Sequence, residues 1–269
     1  MRPDDHGFSF MSDLPASRVN EPSEAARREP VFNLPWVVVL LIAACVTVYV
    51  IEFHFLSDRN YFIFLANAAF IPIRYNGQFD LDITAFTSPL TYAFLHGSIA
   101  HLAINMIWLA AFGSPLANRL GVVRFLIFWA VTSVCAVGLH YVLHMLDQSP
   151  LVGASGAISG MMGAAARFGF RIDRSSGRAA FTGAPLSIRA CLRSRSVMTF
   201  LLIWMAVNLV TGLVAFAPGV DDKIAWEAHI GGFLAGFLGI GLIDRRPTRP
   251  EVQWEDDEAA PDEDKGATA

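Results

Sequence analysis

The chain has 269 residues, of which 54% are hydrophobic and 16% charged, and its mean hydropathy is +0.45. This composition excludes an ordinary soluble domain of the same length and indicates an integral membrane protein. The net charge of −4 is unevenly distributed, because acidic residues crowd the C-terminus while arginines lie between apolar blocks, and no nucleic-acid partner is expected.

The two ends of the chain differ from the apolar region between them. Residues 1–33 are polar and mixed in charge, without the apolar core of a cleavable signal peptide, and predict a cytoplasmic N-terminal tail. Residues 245–269 are rich in Asp, Glu and Ala and predict a disordered, acidic cytoplasmic tail. Residues 34–244 are the predicted membrane domain, in which a long connection at about 57–91 is expected to face outward.

Six blocks of the membrane domain are apolar enough to cross a bilayer, which takes about 20 helical residues. In chain order they are Leu34–Phe55, Tyr92–Leu116, Phe125–Leu146, Leu151–Phe168, Val197–Ala217 and Trp226–Ile243. The predicted fold is therefore all-α, a polytopic bundle of six transmembrane helices. The first, third and fifth spans are plain in composition, whereas the second, fourth and sixth carry polar residues.

The distribution of arginine predicts the orientation of this bundle. Arginines precede span one, separate spans two and three, lie densely between spans four and five, and follow span six. The other connections hold only Arg59, Arg74 and Lys223. This alternation follows the positive-inside rule for six spans with both termini in the cytoplasm.

Polar side chains of the even-numbered spans lie at similar depth. Ser155 and His229 are each a few residues from the outer start of their span, on the order of 5 Å below the membrane boundary. His101 and Asn105 lie somewhat deeper, and their i, i+4 spacing places them on one helical face. Charged residues are absent from the core of every predicted span, which argues against ion-coupled transport.

Stripes of small residues predict close packing between spans four and six. At four-residue spacing they are Gly156, Gly160 and Ala164 on span four, and Ala228, Gly232 and Gly236 on span six. Such stripes let helix backbones approach closely in a membrane. Close approach is what brings a serine hydroxyl within about 3 Å of a histidine nitrogen.

This combination of residues predicts nucleophilic acyl transfer. His229 would act as general base toward the Ser155 hydroxyl and then as general acid toward the leaving amine. Backbone amides in the first turn of span four, with the side chains of Asn105 and His101, would stabilise the oxyanion. Because no intramembrane carboxylate is available to orient His229, the predicted site is a Ser–His dyad, and it uses no metal or cofactor.

Three motifs in these spans resemble those of the rhomboid intramembrane serine proteases. They are "HLAIN" from His101, "GASG" from Gly153 and "AHIGGF" from Ala228, in that order on spans two, four and six. The resemblance extends over about 34–244 and implies Ser155 as nucleophile, His229 as base, and His101 with Asn105 as oxyanion donors. It also implies transmembrane protein substrates cleaved near the outer membrane boundary, in what the analogy suggests is a bacterial plasma membrane.

The resemblance has one further match and two departures. His96 matches a histidine commonly present near the site in this family. The segment "FTSPLTYAFLH" stands where many members carry a Trp-Arg pair, and Ala117 with Asn118 stands where an acidic residue is often found. Neither departure touches the predicted chemistry.

Two other classes of function compete with a protease. A non-catalytic rhomboid-like protein would bind transmembrane segments for quality control or trafficking, but such relatives generally lack the Ser or the His, and both are present here. A transporter or a haem-bearing electron carrier is disfavoured by the absence of intramembrane charges and of paired haem-ligand histidines.

The remaining intramembrane polar residues are predicted to be structural. Ser159, one turn below Ser155, is expected to pack between helices, and Asn208 and Thr211 are interpreted as structural residues that hold helices together. His140 and His144 have the i, i+4 spacing of a metal or haem site. Without a visible partner pair or an HExxH motif, they are interpreted as histidines at the membrane interface.

Overall fold

The structure is a computed structural model that describes residues 34–214 and 225–244. The two predicted tails, 1–33 and 245–269, and the end of the predicted fifth span lie outside the described residues.

The described residues are mostly helical, which confirms the predicted all-α fold. The helices are α1 (Trp36–His54), α2 (Asp58–Ala68), α3 (Ile83–Thr91), α4 (Ile99–Trp108), α5 (Ser114–Leu120), α6 (Val122–Leu143), α7 (Ser155–Arg167), α8 (Ile188–Arg193), α9 (Arg195–Val214) and α10 (Trp226–Ile243). Pro72–Tyr75 and Tyr92–Phe94 form 3₁₀ turns, and the π-helical turn Leu109–Gly113 joins α4 to α5. Two short strands, β1 (Ile172–Asp173) and β2 (Ala180–Phe181), pair antiparallel.

Five helical segments of the described residues are long and apolar enough to cross a membrane. They are Trp36–His54, Ile99–Leu120, Val122–Leu143, Arg195–Gly212 and Trp226–Ile243. These segments correspond to the first, second, third, fifth and sixth predicted spans. Large apolar side chains on α1, α6 and α9 remain exposed, among them Leu40, Ile127 and Leu202, as expected for surfaces that lipid covers.

The second span begins later than predicted, at Ile99 rather than Tyr92. Residues 92–94 form a separate 3₁₀ turn, after which Leu95 adopts an extended conformation. Ser98 then caps α4, because its hydroxyl accepts a hydrogen bond from the His101 backbone N–H at 3.2 Å. The sequence "HGS" is thus a helix start inside an apolar block.

The predicted fourth span is the short helix α7. Its 13 residues extend about 20 Å, less than the hydrocarbon thickness of about 30 Å. The start predicted at Leu151 was wrong, because residues 151–153 are hydrogen-bonded to the connection between α1 and α4 instead. Leu151 exchanges backbone hydrogen bonds with Phe70, and the Gly153 N–H donates to the Tyr92 carbonyl at 2.9 Å. Every residue of 156–166 is buried, so α7 is the central helix of the bundle.

Glycines let the α10 backbone lie directly against that of α7, as the small-residue stripes predicted. A Cβ atom added at Gly232 would overlap the Gly156 carbonyl oxygen, and one added at Gly236 would overlap that of Gly160. On the α6 side, a Cβ at Gly160 would lie 2.6 Å from Thr132 Cβ. Larger residues on α7 would therefore push both neighbouring helices away from it.

The connection between α1 and α4 is built around Arg74. Its guanidinium donates to the Ala66 carbonyl at 3.1 Å, to Asp82 Oδ1 at 2.8 Å and to the Thr84 hydroxyl at 2.7 Å. Asp82 caps α3 by accepting from the Ala85 N–H at 3.0 Å. Hydrogen bonds from the Thr84 hydroxyl and the Ala85 N–H, with Arg74 nearby, hold the pKa of Asp82 below its usual range. The connection predicted at about 57–91 therefore contains helices α2 and α3.

At the opposite end of the bundle, Arg119 joins α5 to the end of α10. Its guanidinium pairs with both carboxylate oxygens of Asp244, at 3.1 and 2.8 Å, and donates to the Gly183 carbonyl at 3.1 Å. The guanidinium carbon also lies 5.3 Å from the centroid of the Phe168 ring. The side chains of Arg119 and Asp244 are 9% and 2% exposed, so the ion pair is buried.

Arg119→Met is expected to destabilise the protein by about 3 kcal/mol, because it leaves the Asp244 carboxylate buried without its cation. Thermal unfolding of the purified protein in detergent measures this loss. Adding Asp244→Leu to the variant should recover much of the stability, since the double change removes both charges. Equal stability of Arg119→Met and the wild type would contradict a structural role for the pair.

Candidate active site

Ser155 and His229 meet at the same end of the bundle. Ser155 is the first residue of α7 and His229 lies in the first turn of α10. The Ser155 Oγ and His229 Nε2 atoms are 2.8 Å apart, within hydrogen-bonding distance. Both residues are partly exposed. The distance agrees with the predicted approach of a serine to a histidine between spans four and six.

The glycine two positions before Ser155 is required by the backbone conformation and by the side chains that pack against it. Gly153 has φ of +118°, a conformation that residues with a Cβ rarely adopt. A Cβ at this position would also lie 2.8 Å from His101 Nε2 and 3.6 Å from Asn105 Nδ2. Gly153 therefore lets the two side chains of α4 lie against the start of α7.

Asn105 presents a hydrogen-bond donor beside Gly153, near the start of α7. The residue is 3% exposed, and its side-chain nitrogen makes no hydrogen bond within the described part of the chain. A buried amide donor without a partner costs free energy, on the order of 1–3 kcal/mol. Such a donor is suited to receive a negatively charged oxygen that forms only during a reaction.

The sequence did not predict the role of Asn208. The Asn208 Oδ1 atom lies 2.6 Å from His229 Nδ1, on the opposite edge of the ring from Ser155. The Asn208 amide nitrogen donates to the Trp204 carbonyl at 2.8 Å, which assigns the amide orientation and turns its oxygen toward His229. Because that oxygen can only accept, Nδ1 of a neutral imidazole carries the proton and Nε2 is free to accept from Ser155.

The other predicted polar residues lie close to this centre or within the helices. His96 is 2% exposed, and its ring packs edge-on against that of His101 with centroids 5.2 Å apart. Ser159 is 4% exposed on α7. The Thr211 hydroxyl lies within hydrogen-bonding distance of the Val207 and Asn208 carbonyls of its own helix. The packing role of Ser159 stays a prediction.

Chemically, the arrangement can activate a serine. Asn208 orients an imidazole, the imidazole accepts from a hydroxyl, and the hydroxyl lies at the N-terminus of a helix, where the first backbone N–H groups have no helical partner. A second group of side chains, His140, His144 and Glu227, lies nearby and could hold a metal ion.

Comparison with known proteins identifies relatives of this chain. The Rhomboid domain model matches residues 84–246, more than half of the chain. The chain is 31% identical over 170 residues to RHOMBOID-like protein 6, mitochondrial, of Arabidopsis thaliana, covering 62% of this chain and 46% of that protein. It is 27% identical over 205 residues to Rhomboid protease GlpG of Enterobacter sp. (strain 638), covering 76% and 62%.

A second plant protein, RHOMBOID-like protein 4 of Arabidopsis thaliana, is 30% identical over 168 residues, covering 61% of this chain and 35% of that protein. The chain thus spans less than two thirds of the length of each of these relatives. The region matched by the domain model runs from the start of α3 to just past the end of α10 and contains the whole serine–histidine site. This integral, multi-pass membrane protein therefore belongs to the rhomboid family.

Proposed function

We propose that the protein is an intramembrane serine endopeptidase that cleaves transmembrane protein substrates near the outer membrane boundary. The observation that carries this proposal is the 2.8 Å contact between Ser155 Oγ and His229 Nε2 in a bundle of membrane helices. The GlpG relatives are named rhomboid proteases, which supports the same reaction class.

In the proposed reaction, His229 Nε2 takes the hydroxyl proton as Ser155 Oγ attacks the carbonyl carbon of the scissile peptide bond. The C–N bond then breaks, and the same proton passes from Nε2 to the leaving amine. A water molecule, deprotonated by His229, next attacks the acyl-enzyme ester and releases the second product with regeneration of the Ser155 hydroxyl.

The proposed oxyanion site combines α4 and α7. The Ser155 backbone N–H is one of the unpaired amides at the start of α7, and the unpartnered Asn105 amide nitrogen supplies a second donor. His101, which lies against Gly153, is a third candidate. Each preorganised donor of this kind contributes about 3–4 kcal/mol to stabilisation of the transition state.

The position of Ser155 favours substrates that unwind easily. An intact helix hides its carbonyl carbons behind backbone hydrogen bonds, so the scissile segment has to become extended before Ser155 can attack it. Substrates with helix-breaking or small residues near the outer membrane boundary are therefore favoured. Ser155 heads its helix and is partly exposed, which gives water access for the second half of the reaction.

In the proposed arrangement, residues 34–244 form the membrane domain in a bacterial plasma membrane. Both termini lie on the cytoplasmic side. The distribution of arginine supports this orientation, and the setting follows from family analogy. In this orientation the ends of the helices that carry Ser155 and His229 face outward.

Incubation of the purified full-length protein in liposomes with several transmembrane reporters tests the proposed function. We expect at least one reporter to be cut near its outer membrane boundary, and a fluorophosphonate to label one serine, identified as Ser155 by peptide mass spectrometry. Labelling of Ser159 would correct the nucleophile. Binding of reporters without cleavage and without labelling would favour a non-catalytic role.

Asn208→Ala is expected to lower kcat for reporter cleavage about 10- to 100-fold, because His229 loses the hydrogen bond that orients its ring and selects its tautomer. KM should change little, since Asn208 does not face the substrate. The matched control is Thr211→Ala on the same helix, which should keep near-normal kcat. Equal kcat for Asn208→Ala and the wild type would contradict a positioning role for Asn208.

A further inference from the structure

We propose that His140, His144 and Glu227 form a binding site for a divalent transition-metal ion of the zinc class. The site lies at the junction of α6 and α10. His140 lies in the last turn of α6, His144 directly follows that helix, and Glu227 lies in the first turn of α10. The proposal goes beyond the proposed protease function and does not depend on it.

The ligand atoms of the three side chains converge. His144 Nε2 lies 2.9 Å from Glu227 Oε1, and His140 Nδ1 lies 3.9 Å from Glu227 Oε2. One ligand atom from each residue lies within 4.8 Å of the others. In a tetrahedral site with metal–ligand bonds of about 2.0–2.1 Å, the ligand atoms lie about 3.3 Å from one another. Small side-chain rotations would therefore let all three atoms coordinate one ion.

The burial of these side chains favours the binding of a cation. His140 is 6% exposed and Glu227 is 7% exposed. The His140 Nδ1 atom points toward the carboxylate without making a hydrogen bond within the described ranges. A buried carboxylate and a buried unpartnered imidazole nitrogen are both costly in free energy, and an ion bound between them would satisfy both.

The donor set favours zinc over magnesium or calcium. Two imidazoles and one carboxylate are a known zinc ligand set, whereas Mg²⁺ and Ca²⁺ prefer oxygen ligands. Water would complete a tetrahedral coordination. The i, i+4 spacing of the histidines was visible in the sequence, but the third ligand lies 83 positions from His144 and only the fold brings it there.

An ion can reach the site from the surface of the bundle. His144 caps the C-terminus of α6, and its side chain is 36% exposed. An open pocket lined by Asn76 and residues 141–147 lies beside it. A bound ion would join the last turn of α6 to the first turn of α10, two positions before His229, and would thereby stabilise the end of the bundle that carries the serine–histidine site.

The test uses the full-length protein without a histidine tag, stripped with EDTA and titrated with ZnCl₂ in detergent. We expect saturable binding of one Zn²⁺ per chain that depends on this site, and a rise in the unfolding midpoint at saturating Zn²⁺. His144→Ala and Glu227→Gln should each weaken the affinity at least about 10-fold and remove the rise. His54→Ala, an exposed histidine at the end of α1, is the matched control and should bind as the wild type does.

Two results would overturn the proposal. One is the absence of saturable binding to the wild type. The other is unchanged affinity in His144→Ala, which would place the ion elsewhere, for example on the acidic C-terminal residues. If Glu227→Gln fails to fold, the His144→Ala variant, at a partly exposed position, decides the question alone. None of these measurements uses a substrate, so their outcome is separate from that of the protease assay.

Discussion

Ser155→Ala is expected to reduce reporter cleavage at least about a thousandfold and to abolish fluorophosphonate labelling. The reason is that the variant lacks the only atom that the proposed reaction joins covalently to the substrate. Residual activity above the uncatalysed rate would come from the oxyanion donors and binding alone. The protein should fold normally, because Ser155 is partly exposed and alanine fits the start of a helix.

Ser159→Ala is the matched control for this prediction. It removes a hydroxyl from the same helix one turn away, at a buried position, and should leave kcat within a few-fold of the wild type. Thermal unfolding of both variants separates a lost nucleophile from a lost fold. Cleavage by Ser155→Ala at the wild-type rate would remove the proposed mechanism, and activity lost only in Ser159→Ala would assign the nucleophile to Ser159.

The pairing of Ser155 with His229 could be predicted because the small residues that let their helices approach are visible in the local sequence. Small residues four positions apart on two spans predict a close contact between those spans. In the structure, Gly232 and Gly236 lie against the carbonyls of Gly156 and Gly160. The similar depth of Ser155 and His229 was predicted by counting residues along each span, and it stays a prediction.

The contribution of Asn208 could not be predicted in the same way. It lies on α9, whose single glycine, Gly212, does not form a stripe of small residues like those that mark the facing sides of α7 and α10. Its contact with His229 depends on the rotation of α9 about its own axis, which tertiary packing sets. Glu227 shows the same limit, because one acidic residue at the start of a helix is ordinary in sequence and becomes informative only beside His140 and His144.

The length of α7 was overestimated for a related reason. An apolar, glycine-rich block reads as a full span, but residues 151–153 form backbone hydrogen bonds to Phe70 and Tyr92 in the connection between α1 and α4. Those bonds satisfy the backbone without a helix, so α7 begins only at Ser155. A helix that is buried on every side needs neither the length nor the lipid-facing side chains of an ordinary span.

Gly236→Leu is expected to prevent the bundle from folding, and Gly236→Ala to cause a partial loss of both stability and cleavage. A Cβ at position 236 would lie 2.5 Å from the Gly160 carbonyl carbon and 2.7 Å from its Cα. Overpacking costs about 1–3 kcal/mol where side chains can move aside. Here the obstacle is the backbone of a helix buried on all sides, so the cost exceeds that range and is comparable with the total stability of a typical domain, about 5–15 kcal/mol.

The matched control for this prediction is Gly241→Leu, on the same helix, where no atom lies within 4 Å of an added Cβ and the residue is exposed. It should fold and cleave reporters as the wild type does, so insertion of leucine into α10 is not itself harmful. In Gly236→Ala the two helices must separate, which lengthens the 2.8 Å contact between Ser155 and His229. We therefore expect cleavage to fall at least about 10-fold even in the folded fraction, since misplacement by about 1 Å costs on the order of 100-fold in rate. Normal folding and cleavage by Gly236→Leu would show that α7 and α10 do not pack backbone against backbone. The geometry proposed for the site depends on that contact and would then be contradicted as well.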